Sequence, residues 1–288
     1  MNDWAKTQAS GGFKGMLDCG ARAFDVRPQL SSESLHFHHG LVAIPKDMKA
    51  AIEEVIAWSA RNNGTDEDLV VLAMTSCDGS GCWNAVRSVF DRLGVIYIDD
   101  CKKMAGLTVA HAAAMARAKG GPPVLAHFDC WESHYEPAVT CSGYGDGSSP
   151  LRAMNDSLRL ETRVNASYHS SQGFYTCYSD SSTKSFPVNR MLEYINNTTR
   201  IGPNTTTGYM YTVQTLWEED AASIAIGELH ASDLLEDEVR SGLNAMLTSR
   251  LSQGLWDVSR INMVECNNVC DGGTELLAAL RKAAAVPP

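Results

Sequence analysis

The chain has 288 residues, of which 44% are hydrophobic and 20% charged, and its net charge is −10. This acidic balance argues against a nucleic-acid partner, which requires clustered Lys and Arg. It also argues against attachment to an anionic membrane by charge alone. No apolar run approaches the roughly 20 residues that span a bilayer, so any peripheral membrane contact should be local and apolar. We expect one monomeric domain covering residues 1–288.

Strand and helix patterns alternate in the first half of the chain, which predicts a parallel α/β sheet. The apolar run Leu69–Cys77 is typical of a strand that is buried on both faces. Predicted strands are Cys19–Pro28, Leu35–His39, Leu69–Cys77, Val95–Ile98 and Val124–Asp129. Predicted helices begin at Pro45, at Trp83 and near Thr108.

The second half of the chain is less regular. Residues 142–190 are rich in Gly, Ser and Asn, and we expect an irregular insertion there. The helix Ser232–Leu251 is predicted from a capping Ser232 and an apolar stripe through Leu235, Val239, Leu243, Met246 and Leu247. The remaining predicted elements are a helix near Val188–Ile195, strands near Tyr209–Trp217 and Ile261–Cys266, and a helix near Thr274–Ala284.

Cysteines and glycosylation sequons indicate an oxidising compartment. The chain has 9 cysteines, several of them close in sequence: Cys77 with Cys82, Cys130 with Cys141, and Cys266 with Cys270. None has the C-x-x-C spacing of a structural zinc site, and an odd count leaves at least one thiol without an intramolecular partner. Sequons begin at Asn63, Asn155, Asn165, Asn196, Asn197 and Asn204. We expect a secreted, disulfide-bonded glycoprotein, although the N-terminal MNDWAKTQASGG shows no signal peptide.

The candidate catalytic residues lie within residues 18–40, DCGARAFDVRPQLSSESLHFHHG. On the first strand, Asp25 and Arg27 share a face, and His39 ends the second strand. These groups should therefore meet at the carboxyl ends of adjacent strands, where barrel enzymes build their active sites. His36 and His38 take the opposite face, and we interpret them as ordinary polar strand residues.

Each of these residue types suits phosphodiester chemistry. A guanidinium offers planar donors to the non-bridging phosphate oxygens, and a carboxylate orients it. A histidine that titrates near neutral pH can protonate a leaving alkoxide. The alternatives are a purely structural Asp25–Arg27 ion pair and a surface cluster of histidines that scavenges metal.

The segments GARAFDVR and HFHHG resemble the G-x-R-x-F-D-x-R…HHG signature of bacterial-type phosphatidylinositol-specific phospholipases C. This resemblance implies a distorted TIM (β/α) barrel of the phospholipase C-like phosphodiesterase type. It implies His39 as general acid, Arg27 as phosphate contact and Asp25 as support. Eukaryotic signalling members of the family place calcium where bacterial members place the arginine. Arg27 therefore implies a site that needs neither metal nor cofactor.

The sequence departs from the family pattern at three places. The family's general-base histidine lies on a first strand before this motif. Asp25 is only 24 residues from Met1, so we expect that first barrel strand to be missing. Thr75 matches a family lysine near the substrate, and Asn267, with Glu265 nearby, matches a family aspartate. His127 and Asp129, on the strand VLAHFD, are further candidate substrate-binding residues.

The sequence thus predicts a phosphoric diester hydrolase or lyase that cleaves a phospholipid headgroup. A substrate hydroxyl would attack phosphorus, and His39 would act as general acid. One alternative is a catalytically inactive phospholipase C-like domain that binds a phosphorylated lipid or inositol ligand. Another is an enzyme like glycerophosphodiester phosphodiesterases, which would need paired acidic metal ligands that this sequence does not show.

Overall fold

A computed structural model of the chain divides into two compact units. The first unit comprises Ser10–Trp131 and Asn204–Met210, and the second comprises Met1–Ala9, Glu132–Pro203 and Tyr211–Pro288. The structure describes residues 8–9, 11–40, 42–61, 69–118, 120–132, 192, 195, 199, 210–216, 235, 238–239 and 242–284. The predicted insertion at 142–190, the capping Ser232 and the asparagines of all six sequons lie outside these residues.

The first unit is built around a four-stranded parallel sheet. Its strands, in spatial order, are β1 (Ala23–Val26), β5 (Val70–Met74), β7 (Val124–Phe128) and β6 (Ile96–Ile98). A second, antiparallel sheet contains β2 (Pro28–Ser31), β3 (Ser34–His39) and β4 (Val42–Ile44). The α/β class predicted from the sequence is confirmed. The described strands form separate sheets and do not close into a barrel.

Helices pack on both faces of the parallel sheet. On one face, α2 (Met48–Ser59) and α3 (Cys82–Leu93) join a core with alternate residues of β1, β5 and β7. On the other face, α4 (Val109–Arg117) packs in a separate cluster that includes Leu125. The central strands β5 and β7 are therefore covered on both sides. This burial explains the apolar run near Leu69–Cys77 that the sequence shows.

Two predicted boundaries near the start of the chain are wrong. The segment predicted as one strand, Cys19–Pro28, contains β1 and the start of β2, separated at Arg27. A short helix, α1 (Gly12–Asp18), precedes it. Helix α2 does not begin at Pro45, because the Asp47 side chain accepts the Ala50 N–H at 2.7 Å and caps the helix there.

The two-residue strand β8 (Trp131–Glu132) follows β7. The second unit contains the parallel pair β9 (Met210–Thr215) and β10 (Met263–Cys266), with helices α5 (Leu243–Ser252) and α6 (Gly273–Ala284). The predicted continuous helix Ser232–Leu251 is wrong. Gly242 has a φ of 66°, a left-handed conformation that interrupts the helix and shifts its buried face. Val239, predicted in the apolar stripe, is consequently 50% exposed, whereas Leu243 and Leu247 are buried.

Disulfide bonds are present in the described part of the chain. Cys77 is bonded to Cys82, and Cys130 is bonded to Cys101 rather than to its sequence neighbour Cys141. Cys19 and Cys270 are also disulfide-bonded. Cys266 is a free thiol. The described helices include none with the length and apolar character needed to cross a bilayer.

Candidate active site

The Asp25 carboxylate holds two of the predicted residues at the carboxyl edge of the parallel sheet. Arg27 Nε donates to Asp25 Oδ2 at 2.9 Å, and Arg27 Nη2 lies 2.7 Å from the same oxygen in an ion pair. Thr75, which follows β5, donates its hydroxyl to Asp25 Oδ1 at 2.5 Å. Both side chains of the ion pair are 14% exposed. Hydrogen bonds to both oxygens fix the carboxylate, and the carboxylate fixes the plane of the guanidinium.

His39 lies beside this pair at the end of β3. The preceding backbone N–H, of His38, donates to the Arg27 carbonyl at 3.0 Å, which ties the end of β3 to Arg27. The pKa of His39 is lowered from 6.5, first by partial desolvation of the ring and then by the positive charge of Arg27, while Asp25 opposes the shift. His39 is therefore mainly neutral at pH 7 and lies within electrostatic range of both partners.

Asp129 extends the same edge beyond β7. Its carboxylate accepts the Ser76 backbone N–H, and its pKa is raised, first by partial desolvation and also by the nearby charge of Asp25. Asp129 and Ser76 each have a φ of 51°, in the left-handed region that residues with a Cβ rarely adopt. Such conformations cost on the order of 1 kcal/mol or more and cluster at functional sites.

His127 has a different environment. The strand register aligns Asp25, Ala73 and His127 across β1, β5 and β7, so His127 lies two strands from Asp25 in the same row. Its side chain has no exposed surface. The Cys130 N–H donates to Nδ1 at 3.2 Å, which assigns the ring proton to Nε2. Burial lowers the pKa of His127 to about 4, so the ring is neutral.

His38, interpreted from sequence as an ordinary strand residue, is a buried connector. Its ring Nδ1 lies 3.0 Å from the Gly40 carbonyl oxygen, and its Nε2 lies 2.5 Å from the Ser76 carbonyl oxygen. His38 thereby links the turn after His39 to the loop after β5. The sequence carries no signal for this, because Ser76 is 38 residues away.

The loop after β5 is also fixed to strand β2. The Leu30 N–H donates to the Asp78 carbonyl at 2.9 Å, and Gln29 Nε2 donates to the Asp78 carboxylate at 2.9 Å. Gly79 has a φ of 95°, and a Cβ there would lie 2.5 Å from the Leu30 carbonyl oxygen. Only glycine fits this approach, so the loop that carries Thr75 and Ser76 has a defined position.

The predicted residue Asn267 belongs to the second unit, where it follows β10 and is buried. Asn244 Nδ2 lies 3.3 Å from the Asn267 carbonyl oxygen and 3.2 Å from that of Asp271. In the same unit, burial and the charge of Asp271 raise the pKa of buried Glu238 to about 8. Burial and Glu238 raise the pKa of the Cys266 thiol to about 12. The sequence did not indicate that Glu238 is buried, because Glu238 lies in a predicted helix and belongs to no motif.

The structure thus brings Asp25, Arg27, His39, Thr75 and Asp129 to one edge, keeps His127 inside the sheet and places Asn267 in the second unit. Within the described ranges, no group of three His, Cys, Asp or Glu side chains is arranged to hold a metal ion.

Comparisons with known proteins agree with this fold. No family model matches the chain, and no curated protein is significantly similar to it in sequence. Two solved structures of the phosphatidylinositol-specific phospholipase C from Staphylococcus aureus are similar. A histidine-to-tyrosine mutant of that enzyme aligns with a TM-score of 0.53 at 11% identity, covering 96% of this chain and 84% of that one. A structure from a study of that enzyme's membrane binding aligns with a TM-score of 0.50 at 12% identity, covering 96% and 85%. The chain therefore has a phosphatidylinositol-specific phospholipase C-like fold.

Proposed function

We propose that the edge formed by Asp25, Arg27, Thr75 and His39 binds and cleaves a phosphodiester in a phospholipid headgroup. The observation that carries the proposal is the approach of two Arg27 nitrogens to one oxygen of Asp25, with His39 alongside. A guanidinium fixed in this way offers charge to the non-bridging phosphate oxygens, where negative charge grows in the transition state. The similarity in fold to a phosphatidylinositol-specific phospholipase C supports phosphatidylinositol as the first substrate to test.

In the proposed reaction a hydroxyl of the headgroup attacks phosphorus. A new P–O bond forms to that hydroxyl oxygen, and the P–O bond to diacylglycerol breaks. The leaving alkoxide takes a proton from His39. Since His39 is mainly neutral in the free protein, the anionic phosphodiester must favour its protonated form on binding. The positive charge of Arg27 lowers the pKa of His39, and the negative charge of the bound substrate would raise it.

The reaction also needs a group that accepts the proton of the attacking hydroxyl. We propose Asp129 for this role, because it is a solvent-exposed carboxylate at the same edge with a raised pKa. The left-handed backbone of Asp129 and Ser76 supports a functional reason for holding the carboxylate there.

We extend the proposal to the fold and the compartment. The parallel sheet with alternating helices supports a distorted barrel of the phospholipase C-like phosphodiesterase type. The disulfides Cys77–Cys82 and Cys101–Cys130 support folding in an oxidising compartment and hence a secreted protein.

The test compares His39→Ala with the wild type on two substrates. Phosphatidylinositol has a poor alkoxide leaving group, whereas inositol 1-(4-nitrophenyl phosphate) has a leaving group that needs little protonation. If His39 is the general acid, His39→Ala should lower kcat on phosphatidylinositol by about 10²–10⁴-fold and affect the nitrophenyl ester far less.

Lys282→Ala, which removes an exposed side chain from α6, serves as the control. Equal losses on both substrates would contradict the general-acid role. Wild-type protein that binds inositol phosphate but releases no product would contradict the catalytic proposal and favour a binding domain.

A further inference from the structure

The ring of His38 lies between two backbone segments of the candidate active site. Its Nδ1 lies 3.0 Å from the Gly40 carbonyl oxygen, and its Nε2 lies 2.5 Å from the Ser76 carbonyl oxygen. His38 is only 7% exposed, so both contacts are made away from bulk water, where polar contacts are strong and costly to lose. One buried ring therefore joins the turn that follows β3 to the loop that follows β5.

The contact with Gly40 acts on the proposed general acid. His39 stands between His38 and Gly40 in the chain, so this contact closes a short turn around His39. The backbone N–H of His38 also donates to the Arg27 carbonyl at 3.0 Å, which places the start of the turn beside Arg27. The His39 side chain itself is exposed, so its place near Arg27 depends on the backbone more than on packing.

The contact with Ser76 acts on the proposed base. The Ser76 N–H donates to the Asp129 carboxylate, and the Ser76 carbonyl faces the His38 ring. These two peptide groups flank a residue with a φ of 51°, in the left-handed region that serine rarely adopts. A backbone in such a conformation persists only when its surroundings hold it. Holding the Ser76 carbonyl therefore keeps the Ser76 N–H directed at Asp129.

Neighbouring polar side chains make no comparable link in the part of the chain that the structure describes. His36 lies on the same face of β3, yet its buried Nδ1 has no hydrogen-bond partner there. The carboxylate of Asp78 accepts from Gln29 on β2, which fixes a later part of the loop than Ser76. Among the described hydrogen bonds, those of the His38 ring are the ones that reach both segments.

Building on the proposed function, we propose that His38 is a positioning residue that holds the general acid and the base through separate contacts. The Gly40 contact holds His39, and the Ser76 contact holds the N–H that fixes Asp129. The two contacts therefore affect different proton transfers. The first affects protonation of the leaving alkoxide, and the second affects removal of the proton from the attacking hydroxyl.

Two substitutions of His38 separate the contacts. The amide nitrogen of asparagine can reach the position of Nδ1, and that of the longer glutamine side chain can reach the position of Nε2. His38→Asn therefore keeps a donor for the Gly40 carbonyl and loses the Ser76 contact, whereas His38→Gln does the reverse. Both substitutions remove the ring and its charge, so a difference between the two variants reports the contacts.

Cleavage of two substrates measures the catalytic effect. His38→Gln should lower kcat on phosphatidylinositol by about tenfold and leave cleavage of inositol 1-(4-nitrophenyl phosphate) within about twofold, because this ester needs little protonation. His38→Asn should lower kcat on both substrates by about tenfold, since both reactions need the base. KM should change little in either variant, because a buried ring does not contact the substrate.

Nuclear magnetic resonance measures the same contacts without catalysis. The pKa of His39 is lowered by desolvation and by Arg27, raised by Asp25 and lowered further by His38. With the turn released from Arg27, this pKa should rise towards 6.5 more in His38→Gln than in His38→Asn. The Ser76 amide should exchange with solvent faster in His38→Asn than in His38→Gln.

His36→Gln is the matched control, because it removes a histidine from the same face of β3 and should change neither the rates nor the resonance measurements. Equal changes in His38→Asn and His38→Gln, on both substrates and in both resonance measurements, would overturn the proposal and leave the ring a general role in stability. A wild type that cleaves neither ester would contradict the proposed function. The crossed pattern of titration and exchange would then still support the two contacts, and its absence would overturn them.

Discussion

Two partly or fully buried carboxylates, one in each unit, have opposite environments. Asp25 in the first unit forms an ion pair with Arg27 and accepts the Thr75 hydroxyl. Glu238 in the second unit is 1% exposed, and its pKa is raised to about 8 because burial and Asp271 outweigh the hydrogen bond from Asn268. Glu238 is therefore mainly protonated at neutral pH. The contrast shows that a neighbouring cation compensates the burial of Asp25, whereas desolvation dominates at Glu238.

The histidines of the first unit repeat this contrast. His39 lies at the solvent-exposed edge beside a charged pair, and its pKa responds to both charges. His127 lies in the parallel sheet without exposed surface, and burial alone lowers its pKa to about 4. In the sequence, His39 and His127 are both histidines near the end of a predicted strand. Burial distinguishes a histidine that can exchange protons with a ligand from one that cannot.

The largest expected effect comes from removing the charge of Asp25. Asp25→Asn leaves the partly buried guanidinium of Arg27 without this counter-charge. The amide NH₂ of the asparagine can also face the N–H groups of Arg27, and two donors cannot form a hydrogen bond. We expect cleavage of phosphatidylinositol to fall on the order of 100-fold, through misplacement of Arg27, and stability to fall by about 3 kcal/mol.

Steady-state kinetics and urea unfolding measure the two effects. Glu53→Gln is the matched control, because it breaks an exposed ion pair with Lys49. Similar losses in both variants would contradict the distinction between the Asp25 pair and a surface pair.

For stability alone, the largest expected effect is that of Glu238→Gln on its pH dependence. The folded-state pKa of about 8 lies above the ordinary 4.5, so the wild type is most stable below pH 4.5 with respect to this group. Stability should fall as pH rises from 4.5 through 8, by on the order of 4 kcal/mol. Glu238→Gln should remove this fall.

Urea unfolding at about pH 5 and about pH 9, on either side of most of this fall, measures the difference. Glu275→Gln, which changes an exposed carboxylate on α6, should keep the wild-type pH dependence. A Glu238→Gln variant with the same dependence as the wild type would show that Glu238 is not buried in the folded state.

His127 should give a smaller effect of opposite sign. Its pKa falls from 6.5 to about 4 on folding, so its contribution is complete above pH 6.5 and is lost as pH falls through 4. The loss should be about 3 kcal/mol. His127→Asn keeps an acceptor for the Cys130 N–H and should reduce the acid sensitivity, whereas His111→Asn, at an exposed position, should not. Unchanged acid sensitivity in His127→Asn would contradict the assignment.

Local patterns in the sequence predicted the α/β class correctly. The prediction that Asp25 and Arg27 share a face followed from strand periodicity, and the ion pair between them agrees with it. The pairing of Thr75 with Asp25 joins residues 50 positions apart, and only a position matched by family resemblance pointed to it. The buried role of His38 had no local signal, because its carbonyl partner follows another strand.

The wrong predictions have physical causes too. The helix predicted through Gly242 ignored the ease with which glycine adopts a left-handed conformation. The sequence left the disulfide connectivity open, and Cys130 is bonded to Cys101 because parallel strands bring the ends of β6 and β7 together.

The most direct test of the central claim is the cleavage of phosphatidylinositol vesicles, in excess EDTA, by the wild type, Arg27→Ala and Arg92→Ala. Arg92 lies on α3, where its Nε donates to the Ser88 carbonyl at 3.2 Å. The variant Arg92→Ala is the control, because it also removes an arginine but leaves the candidate site intact. We expect the wild type to remain active in EDTA, Arg27→Ala to lose about 10²–10³-fold in kcat/KM and Arg92→Ala to change less than about twofold. Activity of Arg27→Ala at the wild-type level, or wild-type activity that disappears with EDTA, would contradict a phosphate site built on Arg27.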